Sequence, residues 1–239
     1  MTPDQGSVLV TGGGTGLGSA TAARLAGLGY DLHVAGRTAS ALDAVVEDIR
    51  ASGGRATAHV LDVRDAEACD RVVEAVVAAS GRLDALVNNA GVFRRGSATG
   101  VTLDDWNLSL DVNLTGAFNA ARSAVAQMRL QEPLDGCRGQ ILNVNSGAGL
   151  HGYVAGAAYT ASKFGLLGLS DALRQEVADD LVKVTDVVVA TAVESELSDR
   201  TGIQRLPADT VAQLVAATLA MPGSAVITRL DLGSLPTGA

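Results

Sequence analysis

The 239-residue sequence predicts a doubly wound, Rossmann-like α/β fold: a mostly parallel seven-stranded sheet with helices on both faces. Three observations predict it. Short β-branched runs alternate with longer stretches whose apolar residues recur every three and four positions, the pattern of strands joined by helical crossovers. The first β-run passes through a glycine-rich turn directly into one of those stretches. The segments that carry candidate chemistry follow β-runs, which puts them on the carboxyl rim of the sheet, where such folds bind ligands.

The strands are expected at Ser7 to Val10, Asp31 to Ala35, Ala56 to Leu61, Ala85 to Val87, Gln140 to Asn145, Val182 to Val189 and Ala225 to Thr228. Helical spacing marks Leu17 to Leu28, Ala39 to Ala51, Asp65 to Ala79 and Thr210 to Ala220, with further helices around Thr102 to Arg129 and Ala157 to Val177. No repeat or Pro/Gly/Ser linker divides the chain, so residues 1–239 read as one dinucleotide-binding and catalytic domain ending in a loose tail from Gly233.

Composition excludes several classes. A net charge of −8 argues against a nucleic-acid or anionic-membrane partner, since no basic run exceeds Arg94-Arg95. Cys69 and Cys137 lack metal-ligand spacing and His33, His59 and His151 are scattered, so no metal is expected. The N-terminus lacks a basic start and an apolar stretch, and no apolar run approaches the roughly 20 residues of a membrane span; the expectation is a cytoplasmic protein.

The turn Thr11-Gly12-Gly13-Gly14-Thr15-Gly16-Leu17-Gly18 ends the first strand and opens the first helix, so its peptide N–H groups and the helix N-terminus suit a pyrophosphate. Its spacing is Gly-x-x-x-Gly-x-Gly, which departs from the general Gly-x-Gly-x-x-Gly fingerprint. The second strand ends in Gly36-Arg37-Thr38, with Gly36 where an NAD-binding protein carries the carboxylate that holds the adenosine ribose. A missing carboxylate removes repulsion against a 2′-phosphate, and Arg37 supplies paired charge-assisted hydrogen bonds to it. The expected cofactor is therefore NADP(H) rather than NAD(H).

Tyr159 and Lys163 stand i and i+4 on a helix, with Ser146 upstream. The chain holds three Tyr and, of its 18 basic residues, two Lys; a Lys at this spacing supplies a compact ammonium of adjustable pKa where Arg is otherwise the rule. Such a cation is expected to draw the phenol down from its usual value near 10, and moving it about three units takes roughly 4 kcal/mol. Together with the glycine turn this is the chemistry of carbonyl reduction.

On these residues the chain resembles the short-chain dehydrogenase/reductase family over nearly its whole length, and within it the 3-oxoacyl-thioester reductases. Matching motifs are Thr11-Gly12-x-x-x-Gly16-x-Gly18, Asp62-Val63, Asn88-Asn89-Ala90-Gly91, Asn113, Ser146 and Tyr159-x-x-x-Lys163, in the family's order. The resemblance implies that Asp62 and Val63 flank the adenine, that Asn89, Ala90 and Gly91 line the cofactor, and that Asn113 holds a water passing protons to Lys163. It implies hydride transfer to a carbonyl carbon while Tyr159 gives its proton to the oxygen, Ser146 hydrogen-bonds that oxygen, and Lys163 lowers the Tyr pKa and holds the nicotinamide ribose. It also implies a homodimer or homotetramer, joined through the helices around Thr102 to Arg129 and Ala157 to Val177.

Four departures stand out. The family's Pro-Gly after the sixth strand, followed by a Thr on the nicotinamide carboxamide, corresponds here to Ala190-Thr191 with Ser195 in the place of the Thr. Asn145 precedes Ser146 where a Ser is usual, and Gln131 to Arg138 reads as a small insertion. The lid from Glu196 to Leu206 is short, which suggests an open or shallow pocket. Val92, Phe93, Arg94, Gly147 to His151 and Tyr153 form the expected pocket wall, with Arg94, Arg95 and His151 as candidate contacts and Trp106 as packing. The substrate expected is a small carbonyl or alcohol, a 3-oxoacyl thioester or a secondary-metabolite ketone or aldehyde. The rival reading is a noncatalytic NADP-binding sensor or scaffold.

Overall fold

The structure, a computed structural model, describes residues 5–193 and 205–234. Its elements alternate as the sequence predicts: β1 (Ser7–Thr11), α1 (Gly16–Gly27), β2 (Asp31–Gly36), α2 (Ala39–Ala51), β3 (Arg55–Val60), α3 (Ala66–Ser80) and β4 (Ala85–Asn88). Then follow α4 (Leu103–Leu110), α5 (Gly116–Met128), β5 (Gly139–Ser146), α6 (Ala157–Glu176), β6 (Val182–Val189), β7 (Ala192–Val193), β8 (Arg205–Leu206), α7 (Ala208–Leu219) and β9 (Arg229–Leu232).

Seven strands form one parallel sheet in the order β3-β2-β1-β4-β5-β6-β9, and β7 pairs with β8 apart from it. The order reverses between β1 and β4, which opens the crevice where open α/β sheets take ligands. A parallel sheet is covered on both faces, so its strands read as continuous apolar runs. Val8 and Val10 pack with Leu25, Leu42 and Val215 on one face, while Leu9, Leu86 and Ile141 pack with Val73, Ala124 and Met128 on the other.

The seventh strand differs from the sequence reading. It lies at Arg229–Leu232 rather than Ala225 to Thr228. The more apolar segment before it meets β6 only through isolated hydrogen bonds: Thr185 Oγ1 donates to the Ile227 carbonyl at 2.6 Å, and Asp186 N to that of Thr228 at 3.0 Å. The ladder starts one residue later, where Asp186 faces Arg229. The expected insertion is a turn closed by a bridge between Leu134 and Cys137. Ser195, Glu196 to Gln204 of the expected lid, and the tail beyond Ser234 lie outside the described residues.

Candidate active site

At the glycine turn after β1, backbone shape dominates. Gly12 adopts φ +64°, a left-handed conformation that side chains disfavour, and a Cβ on Gly18 would overlap the carbonyl of Gly12, so turn and helix meet with no room for a side chain. Thr15 caps α1 without a side-chain hydrogen bond and the first turn of the helix carries no acid. The cradle therefore presents N–H groups and a positive helix end, which fits a dinucleotide pyrophosphate.

The turn after β4 is sewn to this cradle. Asn89 N and Ala90 N donate to Thr11 Oγ1, both at 3.1 Å, and Asn89 Nδ2 donates to the carbonyls of Thr11 and Gly12 at 3.0 and 3.1 Å. Asn88 turns the other way, its Nδ2 donating to the Ala117 carbonyl and to Asn143 Oδ1, each at 3.0 Å. Successive Asn residues thus pin the rim on one side and the core on the other.

At the adenosine end Arg37 and Thr38 are exposed where β2 gives way to α2. Arg37 and Arg64 together hold the Asp62 carboxyl below its ordinary range, the hydrogen bonds from Arg64 being the larger cause. Arg64 clamps Asp62 at 2.5 to 3.0 Å, a partner that sequence spacing did not reveal. Asn119 Nδ2 supports the same segment by donating to the Val63 carbonyl at 3.0 Å.

Ser146, Tyr159 and Lys163 converge where β5 ends and α6 begins. Ser146 Oγ accepts from Ala148 N at 3.2 Å. Burial pushes the Tyr159 phenol up to about 12, opposed by a hydrogen bond with Ser146 and reinforced by Tyr153. The Phe93 ring meets Tyr159 edge-on at 4.9 Å and 85°. Sequence spacing predicts a phenol drawn toward neutrality by the lysine, and the structure differs for a geometric reason. Lys163 Nζ lies 5.8 Å from the centre of the Tyr159 ring and donates to the Val144 carbonyl at 2.9 Å. The lysine is itself buried, which lowers its ammonium to about 8.

Asn113 lies in a π-helical turn, Asp111–Thr115, between α4 and α5. Such wide turns recur at functional sites. Its carboxamide is fully engaged: Oδ1 accepts from Val92 N at 2.7 Å, and Nδ2 donates to the Val92 carbonyl and to Ser162 Oγ, both at 3.0 Å. Ser162 donates to the Tyr159 carbonyl at 2.7 Å, so Asn113 ties the loop after β4 to the turn of α6 between Tyr159 and Lys163. Ser162 was not singled out from sequence, though it sits inside the Tyr-x-x-x-Lys motif.

Elsewhere on the rim, Arg94 pairs with Asp105 at 3.1 Å, which occupies one candidate substrate contact, while Arg95 and His151 stay exposed. A Cβ on Gly147 would lie 3.1 Å from Ala190 Cα, so the loop after β5 packs directly on the turn after β6. Thr191 Oγ1 donates to Ser234 Oγ at 3.0 Å. Among the described residues there is no cluster of three or more potential metal ligands, and no helix is long and apolar enough to cross a membrane.

Residues 7–204 match the family described as short chain dehydrogenase. The chain belongs to the short-chain dehydrogenase family. It is 34% identical over 203 residues to the 3-oxoacyl-(acyl-carrier-protein) reductase of Synechocystis sp., covering 83% of this chain and 80% of that protein. Its structure superposes with a TM-score of 0.86 on a short chain dehydrogenase from Burkholderia cenocepacia in complex with NADP, at 33% identity over 97% of this chain and 98% of the other. A variant of the actinorhodin polyketide ketoreductase with NADPH gives a TM-score of 0.85 at 28% identity, covering 95% of each chain.

Proposed function

We propose that the protein is an NADP(H)-dependent reductase of ketones or aldehydes, with a 3-oxoacyl thioester as its first candidate substrate class and secondary-metabolite carbonyls as the second. The observation that carries this reading is the convergence of Ser146, at the end of β5, with Tyr159 and Lys163 of α6 on the same rim as the glycine cradle. When bound, the cofactor supplies the hydride. The turn from Thr11 through Gly18, with Gly14, Thr15, Gly16 and Leu17, would hold its pyrophosphate. Arg37 and Thr38 would hold its 2′-phosphate, Asp62 and Val63 its adenine, and Asn89, Ala90 and Gly91 its inner face.

Tyr159 acts as general acid, giving its phenolic proton as charge grows on the carbonyl oxygen. Ser146 hydrogen-bonds that oxygen. Lys163, its ammonium on the Val144 carbonyl and 5.8 Å from the centre of the Tyr159 ring, would hold the nicotinamide ribose. Asn113 keeps the two parts of the site in register through Val92 and Ser162. The nearness of relatives named as acyl-carrier-protein and polyketide ketoreductases supports the substrate class.

NADPH consumption across a panel of β-ketoacyl thioesters, quinones, aldehydes and cyclic ketones tests the reading, with Tyr159→Phe as the blank. Turnover that vanishes in the variant is expected. No turnover anywhere with NADPH still bound would favour the noncatalytic sensor, for which the altered Ala190-Thr191 turn is the motive. We also propose a homo-oligomer built on α4 to α6, whose exposed Phe118 and Phe164 lack cover in one chain; a monomeric mass in solution would dismiss it.

A further inference from the structure

The turn Ala190-Thr191 is held by the far end of the chain. Its place is set by the sheet: Ser146 of β5 faces Val189 of β6, and Val189 faces Leu232 of β9, so the three strands end level on the rim. Past that row two hydrogen bonds continue the tie between β6 and β9. Ala190 N donates to the Leu232 carbonyl at 2.7 Å, and Thr191 Oγ1 donates to Ser234 Oγ at 3.0 Å. Pro-Gly at these two positions would supply neither donor, because proline has no N–H and glycine no hydroxyl. The chain lacks the stiff ring and has two bonds in its place.

The turn also presses on the loop that follows Ser146. A Cβ on Gly147 would lie 3.1 Å from Ala190 Cα and 3.2 Å from Ala190 Cβ, so the two backbones meet with no side chain between them. The next residue, Ala148, donates its N–H to Ser146 Oγ at 3.2 Å, while Leu150 N and His151 N both donate to the Gly147 carbonyl at 3.0 Å. A displacement of Ala190 is therefore passed to Gly147 and on to the amide that orients the Ser146 hydroxyl. Beyond Thr191, Ala192–Val193 pairs with Arg205–Leu206 apart from the main sheet, so the chain leaves that sheet at the turn itself.

We propose that Thr191 and Ser234 are positioning residues: their bond straps the turn after β6 to the segment after β9 and keeps the loop beside Ser146 in place. Both side chains are half-buried, so the bond is worth a factor of about ten or less.

Only the role of Ser146 rests on the reductase reading, and the strap is read first without substrate. Amide exchange in the ¹⁵N-labelled full chain compares Ala148 and Ala190 with Asp186, whose N–H bonds the Thr228 carbonyl at 3.0 Å at the other end of the β6–β9 tie. In Thr191→Val, which keeps the shape and drops the hydroxyl, exchange at Ala148 and Ala190 is expected to quicken by up to about tenfold, with Asp186 unmoved. Ser234→Ala is expected to do the same, and the double variant no more than either alone, since all three lose one bond. Thr191→Ser keeps the hydroxyl and is expected to exchange as wild type does. With a carbonyl that turns over, kcat should fall by a similar factor in Thr191→Val and recover in Thr191→Ser, while NADPH affinity, read by fluorescence, holds.

Exchange that quickens alike at all three amides would make the bond a general stabiliser and overturn the proposal. So would amides unmoved in both single variants, losses that add in the double variant, or a wild-type kcat once Ala148 and Ala190 have loosened. Should Thr191→Val not fold, Ser234→Ala, beyond the last strand, decides by the same readings. Absence of carbonyl turnover in the wild type would count against the reductase reading, and the exchange rates would still decide the strap.

Discussion

The two ends of the binding rim are built from different materials. At the cofactor end the work is done by backbone: a left-handed Gly12, a contact between Gly18 and Gly12 that excludes a side chain, and carbonyls bound by Asn89. At the catalytic end it is done by titratable groups held out of water: burial lowers Lys163 and raises Asp186, and desolvation raises the half-buried phenol of Tyr159. The first is a matter of fit, which one methyl group spoils. The second is a matter of balance, which pH and isosteric substitutions move.

That contrast can be broken in order of effect. Tyr159→Phe should lower turnover by about 10² to 10⁴, the range for a lost general acid, while fluorescence titration shows NADPH still binding; near-normal turnover would remove Tyr159 from the mechanism. Gly18→Ala should act on shape alone, destabilising the fold by roughly 3 kcal/mol as an overpacked site does and weakening NADPH, read by thermal melts with and without the coenzyme. A melt identical to wild type would mean that the turn relaxes at little cost.

A third test asks whether buried charge outside the rim behaves like that at the catalytic end. His33 is fully buried against His59 and Ser80, its Nδ1 2.9 Å from His59 Nε2 and its Nε2 2.8 Å from Ser80 Oγ. Burial lowers it from 6.5 to about 4, with His59 adding to the effect. A base depressed in the native state lets the unfolded chain take up the proton first. Stability should thus be complete above pH 6.5 and fall as pH drops toward 4, by up to about 3 kcal/mol for this residue. Urea midpoints across that range check the slope, and His33→Gln should flatten it.

The smallest effect belongs to specificity. Arg37→Ala should weaken NADPH by about tenfold or somewhat more, the worth of a charge-assisted contact, and leave NADH nearly unchanged. Equal losses for both would mean that Arg37 does not discriminate the 2′-phosphate.

Legibility followed the same division. The cradle, Asn88 to Gly91 and the Tyr-x-x-x-Lys helix are local patterns, and alternation of period places six of the seven strands within a residue of their observed positions. The last strand slipped because its apolar lead-in, Ala225 to Thr228, satisfies β6 from outside the ladder. Partners distant in sequence were not legible. Nothing near Asp186 announces that Ser170 and Arg174 will meet it, and the spacing of Tyr159 and Lys163 conveys nearness without saying that the ammonium turns to the Val144 carbonyl. The Asp62–Arg64 clamp is local, yet its bidentate geometry depends on how the chain leaves β3.

The wide turn at Asp111–Thr115 has a consequence for how this chain tolerates length change. A π turn carries one residue more than the α turn it replaces and sits inside an otherwise continuous helix, so the extra residue is taken up locally. Deleting one residue there would restore a plain α turn with little change to α4 and α5, and the cost would fall on Asn113, whose bonds to Val92 and Ser162 are made from within the wide turn. The surplus residue thus aims the asparagine and does not space the helices.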